Sequence, residues 1–324
     1  MPLAPPSAPA APAVAWAAAQ AAATRYARAT QAPATRRAYQ TDWAAFTAWA
    51  AAHGQRPYPA APASVAAYAA ACADAGRSVA TIQRRVAAIA HAHRTAGVVP
   101  PPTQDPLVRA TLVGIRRLRG AAPAQTRPLT LPALRQCLDA TAPATRAGAR
   151  DRALLLLGFA GGFRRSELVG LDVADVTPTP AGLQVRVQRS KTDQEGRGRE
   201  VGIPVGAHPA TCPVRALQAW QAQAGITAGP LFRPVDRWDR VGPGRLAGRA
   251  VARVVQRGAR RAGLDPRGLA GHSLRAGLAT AAAAAGASER TIMAQTGHRS
   301  VAMVRRYIRR GSLFDGNAAA QVGL

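Results

Sequence analysis

The chain has 324 residues, and its 43 lysines and arginines against 16 acidic residues leave a net charge of +27. Such a field attracts polyanions and repels cations, and a chain of this length suits two domains of ordinary size. A membrane role is not expected: no apolar run reaches the ~20 residues needed to span a bilayer, and the basic residues are spread along the chain rather than gathered beside one apolar segment. Nucleic acid is the expected partner. Cys72, Cys137 and Cys212 lie far apart, with no CxxC pair and no histidine at ligand spacing. Neither a disulfide framework nor a metal site is expected, and a reducing cytoplasm fits.

The opening residues are rich in Ala and Pro but lack the positive start of a signal peptide, so 1–20 reads as a disordered lead. Residues 21–119 read as a helical domain of four to five helices. From Thr35 to about Gly54, Tyr39, Trp43, Phe46 and Trp49 recur at spacings of three and four, the apolar stripe of an amphipathic helix. Further helices are expected over 63–75, 78–96 and 105–118, with Pro and Gly at each junction. The helix over 78–96 sets Ile82, Val86 and Ile89 on one face and Arg84, Arg85, His91 and Arg94 on others. With Arg36, Arg37, Arg116 and Arg117, these basic groups make the domain a candidate for entering a DNA groove.

Residues 120–128 have the composition of a linker, and 129–324 form the second domain. A short helix begins near Leu131, and the run ALLLLGFAGG predicts a buried helical spine. The period then changes to two. Leu183, Val185 and Val187 alternate with polar residues, as do Val201, Ile203 and Val205, which predicts a hairpin with SKTDQEGRG at its tip. Helices are expected again over 214–224, 243–262, 272–285, 288–296 and 300–310. The fold class is therefore mainly α with a small β-sheet.

Five short features follow one another in the second domain: GGFRRSEL from Gly161, SKT from Ser190, HSLR from His272, the pair Gly297-His298, and YIRR from Tyr307. In that order, with nine residues from His298 to Tyr307, the chain resembles the tyrosine recombinase (phage integrase) family, and the helical segment before them resembles that family's SAM-like core-binding domain. The tail from Tyr307 is similar to that of the simple recombinases of the Cre and Xer kind.

The chemistry of these residues agrees with the resemblance. Displacement at a phosphodiester loads negative charge onto the non-bridging oxygens, and guanidinium groups that stay charged and match phosphate in shape can meet it. Arg164 and Arg275 match the family's arginines, and Arg165 and Arg305 beside the motifs are DNA-contact candidates. Tyr307 is the only tyrosine after Tyr68, so a phenolic nucleophile in this domain has one choice. A phenol, with an ordinary pKa of about 10, needs a proton acceptor and nearby cations to become nucleophilic at neutral pH.

The resemblance assigns His272 as base or phosphate donor, His298 as phosphate donor, and Glu167 as the acidic residue orienting Arg164 or His272. Glu167 also sits where a helix-capping carboxylate would. Lys191 is the only lysine in the chain and matches the family's general acid, which protonates the departing 5′ oxygen.

From the resemblance follow a 3′-phosphotyrosyl intermediate, a Holliday junction, no ATP and no metal cofactor. It also implies double-stranded DNA with inverted repeats as partner, a dimer on each site and a tetramer in synapsis. A C-terminal segment over 311–324 would dock on a neighbouring subunit, and the cytoplasm, with its nucleoid, is the expected location of a prokaryotic protein of this kind. Two other readings share the composition: a DNA-binding protein without catalysis, and a type IB topoisomerase.

Overall fold

The computed structural model describes residues 11–120, 126–188, 198–298 and 300–311. Lys191, with most of the hairpin tip, and the expected docking segment beyond Gly311 lie outside the described residues. The chain divides into two compact units, Met1–Ala124 and Gln125–Leu324.

In the first unit α1 spans Ala11–Ala29, α2 Pro33–Ala52, α3 Pro62–Asp74, α4 Val79–Thr95 and α5 Pro106–Arg119. The expected disordered lead is corrected here: from Ala11 it is helix, as a run of alanines, the best helix formers, allows. Prolines stand in the first turn of α2, α3 and α5, where the missing N–H has no helical acceptor to lose. Ser78 and Asp105 cap α4 and α5 by accepting from the backbone N–H groups of Thr81 and Leu107. The apolar stripe is core as expected. Phe46 is fully buried among Val65, Ile82, Val86, Ile89 and Val108, with Trp43 and Trp49 packed against them.

In the second unit α6 (Leu131–Asp139) and α7 (Arg146–Ala160) come first, capped by Thr130 and Thr145. Leu154 to Leu157 are buried on every side of α7, which makes it the expected spine. Burial of each such leucine contributes about 1.5–3 kcal/mol. A short α8 (Arg165–Gly170) precedes the strands β1 (Val176–Thr179), β2 (Gly182–Val187) and β3 (Arg199–Pro204), which pair antiparallel in the order β1-β2-β3. The hairpin is as expected, and Leu183 pairs with Ile203 and Val185 with Val201 on its buried face. β1 is an addition, disguised by Pro178, which an edge strand tolerates. Val205, expected to continue the inward row, is exposed beyond the end of β3.

The remaining helices are α9 (Pro213–Ala224), α10 (Gly248–Arg261), α11 (Ser273–Ala284), α12 (Glu289–Thr296) and α13 (Val301–Gly311). α10 starts five residues later than expected. Residues 243–247 are a non-helical bend and coil instead, with the Leu246 N–H donating to the Phe232 carbonyl and Leu246 itself buried. The end of the expected linker is also corrected. Arg127 N–H donates to Gly268 and Leu129 N–H to Ser273, which fastens this stretch to the second unit. Among the described residues no helix is long and apolar enough to cross a membrane.

Candidate active site

The site forms where the end of α7, the start of α8, the start of α11 and the Gly297 turn after α12 meet. Gly162, with φ of +56°, lets the chain reverse between α7 and α8, and a Cβ there would lie 2.9 Å from both Leu278 and Thr296 side-chain carbons. Phe163 is buried directly after the turn, which leaves Arg164 at the mouth of α8.

Glu167, one turn into α8, is buried and carries three bonds. Its Oε2 accepts from the Arg164 backbone N–H at 3.0 Å, its Oε1 from Arg164 Nη1 at 2.5 Å, and Oε2 again from Arg199 Nη2 at 3.2 Å. Glu167 thus bonds both the first backbone N–H of α8's N-terminus and the Arg164 guanidinium. Burial pushes its carboxyl up, but the hydrogen bonds from Arg164 and the charges of Arg164 and Arg199 outweigh burial and hold it below the usual carboxylate range. Arg164 Nη2 donates to the Gly297 carbonyl at 3.3 Å.

His272 and Arg275 stand one turn apart at the start of α11 and so face the same side. Arg275 is 1% exposed. Its Nη1 donates to the carbonyls of Gly162 and Thr296, while its Nε and Nη2 are buried without a partner. Burial and the neighbouring Arg164 charge push its pKa down to about 10. A buried guanidinium with two unsatisfied donors is costly to keep unless an anion meets it.

Tyr307, half-buried on α13, packs against the small cluster of Ala279, Ile292 and Val304. Its hydroxyl lies 2.7 Å from His272 Nε2. Partial burial and the cations of Arg275 and Arg164 hold the His272 pKa below its ordinary value, so the ring is neutral at pH 7, and in the tautomer with its proton on Nδ1 the Nε2 can take the phenol's proton. The His298 ring centroid lies 5.6 Å from that of Tyr307. Its Nδ1 is 2.7 Å from Thr296 Oγ1, whose own proton goes to the Ile292 carbonyl. Neutral His298 therefore holds its proton at Nδ1, donated to Thr296 Oγ1. Burial, with Arg275 and Arg164, pushes its pKa down to about 3.

The structure thus brings together Arg164, Glu167, His272, Arg275, His298 and Tyr307; Lys191 lies outside the described residues. Sequence reasoning missed Arg199. A signal was present: Arg199 shares the inward register of β3 with Val201 and Ile203, an odd place for an arginine with no ligand or carboxylate to meet.

The ten DNA-contact candidates separate into groups. Arg37, Arg94, Arg116, Arg117 and Arg165 are exposed. Arg165 lays its aliphatic stem over Gly271, beside His272. Arg84 and Arg305 are exposed but ion-paired, to Asp42 and Glu289 respectively. Arg36 and His91 are half-buried around a cavity of about 550 Å³ between α1, α2 and α4, where His91 meets Gln31 and the Tyr39 ring. Arg85 is a correction: it turns inward, donating to Cys72 Sγ at 3.1 Å beneath the Tyr68 ring, because its place on α4 faces α3.

Fold and site together define a phosphoryl-transfer protein of the tyrosine type, with a phenol beside a neutral imidazole and two arginines close by. Comparison with known proteins agrees. The model of the phage integrase family matches residues 129–312, and that of the phage integrase N-terminal SAM-like domain matches residues 25–96. An integrase/recombinase xerD homolog of Selenomonas ruminantium is 40% identical over 286 residues, 88% of this chain and 84% of the relative. Tyrosine recombinase XerC of Myxococcus xanthus is 33% identical over 174 residues, 52% of this chain and 53% of that protein.

Among solved structures, a lambda integrase dimer bound to a COC′ core site aligns with a TM-score of 0.58 at 19% identity, covering 86% of this chain and 89% of that one. XerH in a post-cleavage complex with its palindromic difH substrate aligns with a TM-score of 0.53 at 17% identity, covering 81% of this chain and 71% of that one. These two show the shared fold. The chain belongs to the phage integrase family and is a site-specific tyrosine recombinase, an enzyme that cleaves and rejoins DNA strands.

Proposed function

We propose that Tyr307 attacks the scissile phosphate of a double-stranded recombination site built on inverted repeats. The contact between the Tyr307 hydroxyl and His272 Nε2, at 2.7 Å, carries this reading. A bond forms between the Tyr307 oxygen and phosphorus as the bond from phosphorus to the 5′ oxygen breaks. The phenol's proton passes to His272, and Lys191 supplies one to the departing 5′ oxygen, a transfer arginine performs poorly. Arg164 and the unpartnered Nε and Nη2 of Arg275 take the charge that develops on the phosphate.

His298 donates to that phosphate from Nε2 only once it is charged, because its neutral form keeps the proton on Thr296's side. Phosphate binding and His298 protonation are thereby linked. The 3′-phosphotyrosyl bond conserves the ester's energy, and a free 5′ hydroxyl from a partner duplex resolves it, passing through a Holliday junction. A dimer on each site and a tetramer in synapsis, in the cytoplasm and on nucleoid DNA, complete the reading. Arg37, Arg94, Arg116 and Arg117 hold the DNA backbone from the first unit, and Arg165 holds it beside the scissile phosphate. Among solved relatives, a lambda integrase tetramer is bound to a Holliday junction.

The test uses a duplex carrying the sequence that the protein selects from a random pool, nicked close to the cleavage point so that the 5′ fragment escapes. The wild-type chain accumulates a covalent adduct, and Tyr307→Phe forms none. An undiminished adduct with Tyr307→Phe would remove the assignment. Two-site exchange, rather than relaxed circles alone, separates recombination from topoisomerase action.

A further inference from the structure

Arg199 opens β3 and reaches inward across the floor of the site. Its Nη2 donates to Glu167 Oε2 at 3.2 Å and its Nη1 to the Gln295 carbonyl at 3.0 Å, while its Nε is buried without a partner. Glu167 in turn holds Arg164, and Gln295 lies two residues before Gly297, whose carbonyl accepts from Arg164. The Gln295 side chain adds two bonds of its own, to the Ala160 carbonyl at the end of α7 and to the Gly202 carbonyl on β3.

We propose that Arg199 is a positioning residue for the phosphate-binding end of the site, holding the Arg164 and the Gly297-His298 segments in one frame. The proposal rests on the roles given above to Arg164 and Tyr307.

Three observations favour this over a purely structural clasp. Three guanidinium groups, those of Arg164, Arg199 and the buried Arg275 with two unpartnered donors, gather at one buried carboxylate, more positive charge than a structural tie needs. The acceptors belong to different elements, and a diverging guanidinium fork reaches both where a lysine ammonium gives a less defined grip. Finally, Gly297 makes room for it: a Cβ at this left-handed position, φ +66°, would lie 2.8 Å from Arg199 Nε and 3.1 Å from its Cδ. The glycine of the Gly297-His298 pair thus serves both the turn after α12 and the passage of Arg199.

The test compares full-length wild-type, Arg199→Met, Arg199→Lys and Gly297→Ala chains on the nicked duplex, with the scissile phosphate or with a methylphosphonate in its place. The methylphosphonate diester is neutral, so its cleavage draws less on Arg164. Arg199→Met is expected to form adduct about 10- to 100-fold more slowly on phosphate, as misplacement of a reacting group does, with duplex affinity unchanged in a gel shift. On methylphosphonate it should come within about threefold of wild type.

Arg199→Lys should fall between, and Gly297→Ala should follow Arg199→Met. Should Arg199→Met lose duplex binding, Arg199→Lys carries the same comparison. Wild-type rates on phosphate, or equal slowing on both substrates, would overturn the proposal. Failure of the underlying reading shows itself separately, as an adduct that survives Tyr307→Phe.

Discussion

Each unit of this protein contains a buried carboxylate gripped by arginines, and the two are put to different use. In the first unit Asp42 on α2 receives Arg84 through two bonds, at 2.7 and 3.1 Å, with Arg85 at 3.9 Å. Both arginines are neighbours on α4, and Arg84's side chain is half in water, so the cluster ties two helices together and ends there. In the second unit Glu167 receives Arg164 and Arg199 from different elements, and Arg275 lies close by with donors to spare. The same ion-pair chemistry becomes a structural tie in one place. In the other, Arg275 adds a third guanidinium, two of whose donors are buried without a partner, so the cluster carries more donors than its one carboxylate can satisfy.

Isosteric neutralisation breaks this contrast most directly. Glu167→Gln keeps the shape and the bond to the Arg164 backbone but removes the charge holding two guanidinium groups. Adduct formation should fall about 100-fold, with duplex binding retained. Asp42→Asn should leave the rate of adduct formation per folded molecule unchanged. If Asp42→Asn slowed cleavage as much as Glu167→Gln, the distinction between the two clusters would be lost.

The pH profile sharpens the same distinction. His272 acts in its neutral form, and its pKa is depressed by partial burial and by the cations of Arg275 and Arg164. The single-turnover cleavage rate should therefore hold as pH falls through the ordinary histidine value of about 6.5 and decline only below it. With Arg164→Met one cation is gone, the His272 pKa rises, and the acid limb should move toward higher pH. A limb that stays in place would mean the arginines do not set the basicity of His272. The smallest effect belongs to the first unit: Asp42→Asn should lower stability by about 1–2 kcal/mol, a loss of charge-assisted bonds partly screened by water at Arg84, read by thermal or urea denaturation.

Much of the site was legible because its members are set by short-range spacing. His272 and Arg275 need only one helical turn to face together, and Arg164 and Glu167 need only the first turn of α8. Tyr307 was marked by being the only tyrosine of its unit. Arg199 was not legible as a partner, because its acceptors lie 32 and 96 residues away and only the packing of β3 against α8 and α12 brings them within reach. β1 was hidden by Pro178, whose missing N–H argues against a strand until an edge position is known. Arg85 was misread since a basic helix face shows where side chains point but not which neighbour covers them.

Local sequence by itself determined the helices and the hairpin, through apolar period and caps, and it determined which residues could do chemistry on a phosphodiester. The tertiary structure decided their state. Burial among like charges keeps His272 and His298 neutral, leaves two Arg275 donors unpaired, and makes one carboxylate serve two arginines. These are sums over groups distant in the chain, so no window of sequence contains them.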